Sequence, residues 1–103
     1  MRITDKVKIG GQIYEVIRPT VCDEEERNID GQILYDKSII KLQNELTGDY
    51  LNYVFMHEIM HGIFEFLGMK NDEKLVDKIS RAVHMLIKDN PDIFKEGEEN
   101  GAV

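Results

Sequence analysis

A single cysteine, Cys22, excludes any internal disulfide. No apolar run is long enough to cross a bilayer, and Met1-Arg2-Ile3-Thr4-Asp5-Lys6 carries no apolar signal segment. The expected location is therefore the cytoplasm. Basic residues are outnumbered: 13 Lys and Arg stand against 20 Asp and Glu, a net charge of -7. Acidic runs at Asp23-Glu24-Glu25-Glu26 and at residues 96–99 add to this imbalance. Electrostatic binding to nucleic acid or to anionic membranes is not expected of such a chain. Repeats and internal linkers are absent too, so 103 residues are expected to form one domain over residues 1–95, followed by an acidic disordered tail over 96–103. Apolar residues make up 42%, enough for one modest core. A domain this small is marginal on burial alone, and a bound metal would add to its folding.

The first half has the period of strands. Lys6 to Ile9 and Gln12 to Ile17 flank Gly10-Gly11 and predict a hairpin, ended by Arg18-Pro19. Residues 20–28 are polar and acidic and read as a surface loop. Gln32-Ile33-Leu34-Tyr35 and Ser38-Ile39-Ile40-Lys41-Leu42, split by Asp36-Lys37, predict a second hairpin. The four strands are expected to form one small, mostly antiparallel sheet.

The period then changes. From Thr47 or Asp49 to Leu67 there is no proline, and the one interruption is Gly62. Thr47 fits an N-cap, and Gly68 fits the residue just past the end. Apolar side chains cover more than half the circumference of this helix, so it should be central and buried. A narrow stripe of His57, Glu58, His61 and Glu65 interrupts them. Buried polar groups need partners, since an unpaired one costs roughly 1–3 kcal/mol. A second helix, from Asp72 or Glu73 to about Asp89, follows the short connection Lys70-Asn71-Asp72, with Asn71 as its expected cap and Asn90-Pro91 as its stop. Its expected core face is Leu75, Val76, Ile79, Ala82, Val83, Leu86 and Ile87. The short connection makes the two helices antiparallel. The fold class is α+β: a small antiparallel sheet of two hairpins, packed on a central helix and a second antiparallel helix.

The polar stripe spells His57-Glu58-x-x-His61. On a helix the two histidines lie one turn apart on one side and can reach the same metal ion, while Glu58 is placed to polarise a water on that metal. Catalytic zinc usually takes three protein ligands and leaves a fourth position for water. Glu73, at the start of the second helix, can turn back towards His57 and His61 as the third. Asp77, one turn further along, can accept the other ring N–H of a ligand histidine and fix its tautomer and orientation. His84 shares that stripe but lies about 16 Å beyond Glu73 at 1.5 Å per residue, so the two cannot ligate one ion. Glu73, nearer the loop, is the expected third ligand, with His84 as the alternative to it and otherwise an ordinary surface or substrate-cleft histidine. Tyr35, Tyr50 and Tyr53 are read first as packing residues, with donation to an oxyanion as the alternative. Glu65 reads as a solvated rim residue. Nothing near Cys22 supports a thiolate ligand.

The run from Tyr53 to Pro91 resembles the gluzincin zinc metallopeptidases, most of all the small ImmA/IrrE-like proteins and the minimal zincins of phages and mobile elements. The matching residues are His57-Glu58-Ile59-Met60-His61-Gly62, then Glu73-Lys74-Leu75-Val76-Asp77, and Lys88-Asp89-Asn90-Pro91. The resemblance implies a minimal zincin-like fold, with His57, His61 and Glu73 as zinc ligands and Glu58 as general base. It implies a zinc metalloendopeptidase that cleaves peptide bonds with a water activated by zinc and Glu58, acting on a peptide or on a protein partner such as a transcriptional repressor. The strand Ile39–Leu42 is expected at the cleft edge, paired with an extended substrate. The competing reading is a zinc-stabilised regulatory or protein-binding module in which the metal staples two helices and turnover is negligible.

Overall fold

A computed structural model describes residues 1–95. The tail expected over 96–103 lies outside the described residues. Among the described residues, four strands and two helices follow one another: β1 (Lys6–Ile9), β2 (Gln12–Ile17), β3 (Gly31–Leu34), β4 (Ile39–Leu42), α1 (Gly48–Leu67) and α2 (Glu73–Asp89). Among the described residues, no helix is long and apolar enough to cross a membrane.

Both expected hairpins form. β1 and β2 pair antiparallel, with Ile9 opposite Gln12. The two residues between them, Gly10 and Gly11, have φ of 57° and 87°. A two-residue turn with both φ values positive matches the twist of the flanking strands, and glycine adopts it without strain. Gly10 is needed for a second reason: a Cβ there would fall 2.0 Å from Cδ1 of Phe66, whose ring lies on the turn. β3 and β4 also pair antiparallel, with Leu34 opposite Ile39.

The hairpins join through β2 and β4, which run parallel with Val16 opposite Ile40, so the strand order is β1-β2-β4-β3. This order corrects the expectation for Ile39–Leu42. β4 is hydrogen-bonded on both sides and cannot accept another strand; β3 is the edge on that side of the sheet. β3 runs opposite to both β4 and β2, so the long 18–30 connection stays at one end of the sheet, passing the end of β4 to start β3, and β4 then fills the place between them parallel to β2. That segment is not wholly a surface loop, because Cys22 within it is 2% exposed and its thiol faces the Asp30 carbonyl. Arg18 then fixes the entry to α1. Its guanidinium donates to the carbonyls of Leu42, Gln43, Asn44 and Leu46, gathering the β4–α1 turn around one side chain.

α1 is the central element. One side packs on the sheet in a core of Ile9, Tyr14, Ile40, Leu42, Val54 and Phe55. Gly62 lets the sheet approach, since a Cβ there would meet Ile9 Cδ1 at 2.8 Å. The other side packs on α2 through Met56, Met60, Phe64 and Val76. The helix ends at Gly68 with φ 68°, where the cap N–H reaches the carbonyls of Phe64 and Glu65.

α2 packs on α1 and on none of the strands. Having one neighbour, it buries a narrower stripe than its apolar pattern suggested. Val76 is fully buried and Ile79, Val83 and Ile87 are partly so, but Leu75, Ala82 and Leu86 are exposed. Ser80 takes the vacated place: it is fully buried, its hydroxyl donating to the Val76 carbonyl at 2.7 Å. The cap is Asp72 rather than Asn71, with its carboxylate accepting from the N–H groups of Lys74 and Leu75. Adjacent residues cannot both cap one helix, and Asn71 is used elsewhere.

Candidate metal centre

Three side chains converge at the mouth between α1 and the start of α2. Glu73 Oε1 lies 2.8 Å from His57 Nε2, and Glu73 Oε2 lies 2.9 Å from His61 Nε2. The three donor atoms all fall within 4.8 Å of one another. A tetrahedral zinc with bonds of about 2.0–2.1 Å separates its donors by roughly 3.3 Å, so this set needs only a small opening to close on an ion. The donor chemistry fits as well: two imidazoles and a carboxylate form a known catalytic zinc set that leaves one position open. The arrangement is typical of zincin-like folds, in an α+β domain of two hairpins packed on a motif-bearing helix. The sequence placed these three together, and the structure brings them together.

Each histidine is held from behind. His57 Nδ1 lies 3.3 Å from the Tyr53 hydroxyl and 3.5 Å from Asp77 Oδ1. Tyr53 itself donates to Asp77 Oδ1, and Arg81 Nε donates to Asp77 Oδ2 at 2.8 Å. These donors hold the Asp77 carboxyl below its usual pKa, with the Tyr53 hydrogen bond the larger cause. The Arg81 guanidinium lies 5.4 Å from the centre of the Tyr53 ring. With an ion on Nε2, the ring proton of His57 would sit on Nδ1, where these oxygens can accept it.

His61 has an equivalent arrangement that sequence reasoning missed. Its Nδ1 lies 2.9 Å from Asn71 Oδ1. The Asn71 amide nitrogen donates to the Tyr35 hydroxyl at 3.2 Å, and Tyr35 donates to the His61 backbone oxygen at 3.3 Å. Asn71 sits in the connection between the helices, where no periodicity marks a residue. The one available signal was its closeness to Glu73.

Glu58 is 7% exposed, although it is a carboxylate. Burial, and then the charge of Glu73, push its pKa up to about 8. Burial is the first cause of the raised pKa of Tyr53 and of Tyr35, each pushed up to about 12, so both phenols keep their protons at neutral pH.

Two hollows adjoin the three donors. Both are lined by Gly31, His57, Glu58 and Glu73. One, of about 240 Å³, runs past Tyr50, Tyr53 and Asp30. The other, of about 300 Å³, runs past Gln32, Tyr35 and His61. The edge strand β3 forms the wall of the second, where the first half of the chain meets the motif.

The remaining candidates lie elsewhere. His84 Nε2 pairs with Asp49 Oδ1 at 3.0 Å, and Lys88 reaches the other oxygen of Asp49 at 3.3 Å. These contacts join α2 to the first turn of α1. Cys22 is buried with its thiol facing the Asp30 carbonyl, and Glu65 is exposed. Set against family models, curated proteins and solved structures, the chain has no match in any of the three comparisons.

Proposed function

We propose that this protein is a zinc-dependent metalloendopeptidase of the gluzincin type, related in design to the ImmA/IrrE-like and minimal phage zincins. The observation that carries the reading is the convergence of His57, His61 and Glu73 beside a buried Glu58, in a cleft walled by an edge strand. His57, His61 and Glu73 would hold the ion; Asp77 and Asn71 would orient the two imidazoles. Zinc supplies Lewis acidity, lowering the pKa of the water it holds to about 7 in favourable sites and polarising a carbonyl.

The chain's own residues do the rest. Glu58 takes the proton from the attacking water and passes it to the leaving amine. Its burial beside the three donors keeps the carboxylate at one position through both transfers. Residues 31–33 of β3 offer the backbone groups on which an extended peptide can add as a further strand. The substrate class we propose is a peptide segment of a cytoplasmic regulatory protein.

A second reading has an observation of its own. α2 touches the remainder of the fold through α1, and the donor set spans the two helices: His57 and His61 on one, Glu73 on the other. An ion there would staple them, as in a zinc-stabilised binding module. Glu58→Gln separates the readings. The peptidase reading expects full zinc content with hydrolysis abolished. A biological effect that survives the change would make catalysis dispensable. Purified protein that neither carries nor takes up near-stoichiometric zinc would remove both readings.

A further inference from the structure

Three phenols border the cleft, and their hydrogen bonds divide them. The Tyr50 hydroxyl donates to Asp30 Oδ2 at 2.5 Å, and the Tyr53 hydroxyl donates to Asp77 Oδ1. Both protons are held by carboxylates. The Tyr35 proton is held loosely. It points at the His61 backbone oxygen across 3.3 Å, beyond the 2.5–3.0 Å of an ordinary O–H···O bond. That oxygen belongs to a carbonyl within α1, where the helical ladder already supplies a partner. The Tyr35 oxygen also accepts from Asn71 Nδ2, which leaves its proton as the group it has to offer. Tyr35 directly follows β3 and lines the same hollow as His57, Glu58, His61 and Glu73.

We propose that Tyr35 is a catalytic residue: the hydrogen-bond donor to the oxyanion formed when a peptide carbonyl is attacked in this cleft. The proposal rests on the peptidase reading. In the step concerned, the water oxygen bonds to the carbonyl carbon while Glu58 takes the water proton. The π pair of the C=O bond moves onto its oxygen, which becomes the anion. The Tyr35 phenol turns from the His61 carbonyl to that oxygen and donates a hydrogen bond without giving up its proton. When the C–N bond breaks, the pair returns to re-form C=O and the amine nitrogen takes the proton from Glu58. Little is lost in the turn, because the bond given up is long and its acceptor keeps its helical partner. The donation is worth most where charge develops, so it favours the transition state over the bound peptide. Asn71, bonded to both Tyr35 and His61, sets the position of the donor relative to a ligand histidine.

The test uses zinc-loaded protein, Tyr35→Phe and two probes. One is a blocked phosphinic tetrapeptide of alanine residues, whose tetrahedral phosphorus carries the oxygen that mimics the oxyanion. The other is a blocked alanine peptide of equal length that binds through a thiol and has no such oxygen. Tyr35→Phe should bind the phosphinic peptide about 10²–10³-fold more weakly, in line with the loss of one oxyanion donor. Its affinity for the thiol peptide, and for zinc measured against a competing chelator, should stay within about threefold, because neither contact involves an oxyanion. Tyr35→His keeps a ring and an N–H donor, and should recover part of the lost phosphinic affinity; it also serves if Tyr35→Phe melts below the assay temperature. Equal losses for both probes and for zinc would mean that Tyr35 only braces His61 through Asn71, which overturns the proposal. Unchanged phosphinic binding overturns it too. If the wild type hydrolyses peptides while Tyr35→Phe keeps full phosphinic affinity, only the assignment of Tyr35 falls. If the wild type neither hydrolyses peptides nor binds the phosphinic probe, the peptidase reading falls and takes this role with it.

Discussion

Gly31, the first residue of the edge strand, lies against the side chain of Glu58. A Cβ on Gly31 would stand 3.0 Å from Glu58 Oε2 and 3.1 Å from its Cγ, and 2.8 Å from Val54 Cγ1. The strand is thus the wall that sets the Glu58 rotamer, and the absence of a side chain at Gly31 makes room for it. Gly31→Ala should force one or the other to move. Overpacking of this kind costs about 1–3 kcal/mol, visible as a lower melting temperature. The three atoms nearest that Cβ belong to Val54 and Glu58 and not to the zinc donors, so chelator competition should register little change. Hydrolysis should fall tenfold or more, since a base misplaced by about 1 Å loses much of its effect. Full turnover by Gly31→Ala would show that the contact does not position Glu58.

The pKa of Glu58 makes the stability of metal-free protein depend on pH in a defined direction. Folded, the carboxyl keeps its proton up to about pH 8; its ordinary value is 4.5. Between these values the folded chain binds a proton that the unfolded chain has released. Stability is therefore fully present below about pH 4.5, falls as pH rises, and levels off above about pH 8. The fall is on the order of a few kcal/mol, because the side chain is almost fully buried. Asp49 and Asp77 have lowered pKa values and lose their contributions only in acid, below this window. Denaturant midpoints taken with chelator at pH 5 and pH 8 should differ for the wild type, and Glu58→Gln should shrink the difference. The same gap in both proteins would assign the pH dependence to other groups.

The site was more legible in the sequence than the sheet around it. His57, Glu58 and His61 could be placed because twenty residues of uninterrupted helix fix their angular relation. Glu73 could be placed because a short connection leaves the second helix few directions to run. The hairpins were visible from Gly10-Gly11 and Asp36-Lys37, since those pairings are local. Their mutual order was not, because it depends on how residues 18–30 cross the sheet, and no pattern in that polar segment records the crossing. Hence the sequence alone points to Ile39–Leu42 as the cleft edge, while Gly31–Leu34 holds that place. On α2, Leu75 and Leu86 match Val76 and Val83 in type. Only the position of α1 decides which of them it covers. Asn71 and Asp72 are both good caps by residue type, and the choice between them rests on a tertiary contact, the Asn71 bond to His61.

Two substitutions on α2 should separate ligand from staple. Glu73→Ala removes one of the three donors and should weaken zinc binding by more than the 10–100-fold typical of a lost supporting hydrogen bond. His84→Ala breaks the contact with Asp49 and should leave zinc affinity unchanged, with a slightly lower melting temperature as α2 loosens from the first turn of α1. Chelator competition and thermal melts read the two effects separately. The reverse ranking for zinc would move the third ligand to His84.

Asp77 and Asn71 act on different histidines, which gives a sharper test of the bracing scheme than either substitution alone. Asp77→Ala removes the carboxylate behind His57 and leaves Tyr53 and Arg81 without their acceptor. Asn71→Ala removes the acceptor behind His61 and the donor to Tyr35. Each should cost about 10–100-fold in zinc affinity, the usual effect of losing a group that orients a ligand. The two braces share no hydrogen-bond partner: Tyr53 and Arg81 belong to one, Tyr35 to the other. If each imidazole is fixed independently, the double variant should lose the product of the two factors, to within about 0.5 kcal/mol. A smaller combined loss would mean that freeing one ring already releases the other through Glu73, whose two oxygens face both histidines.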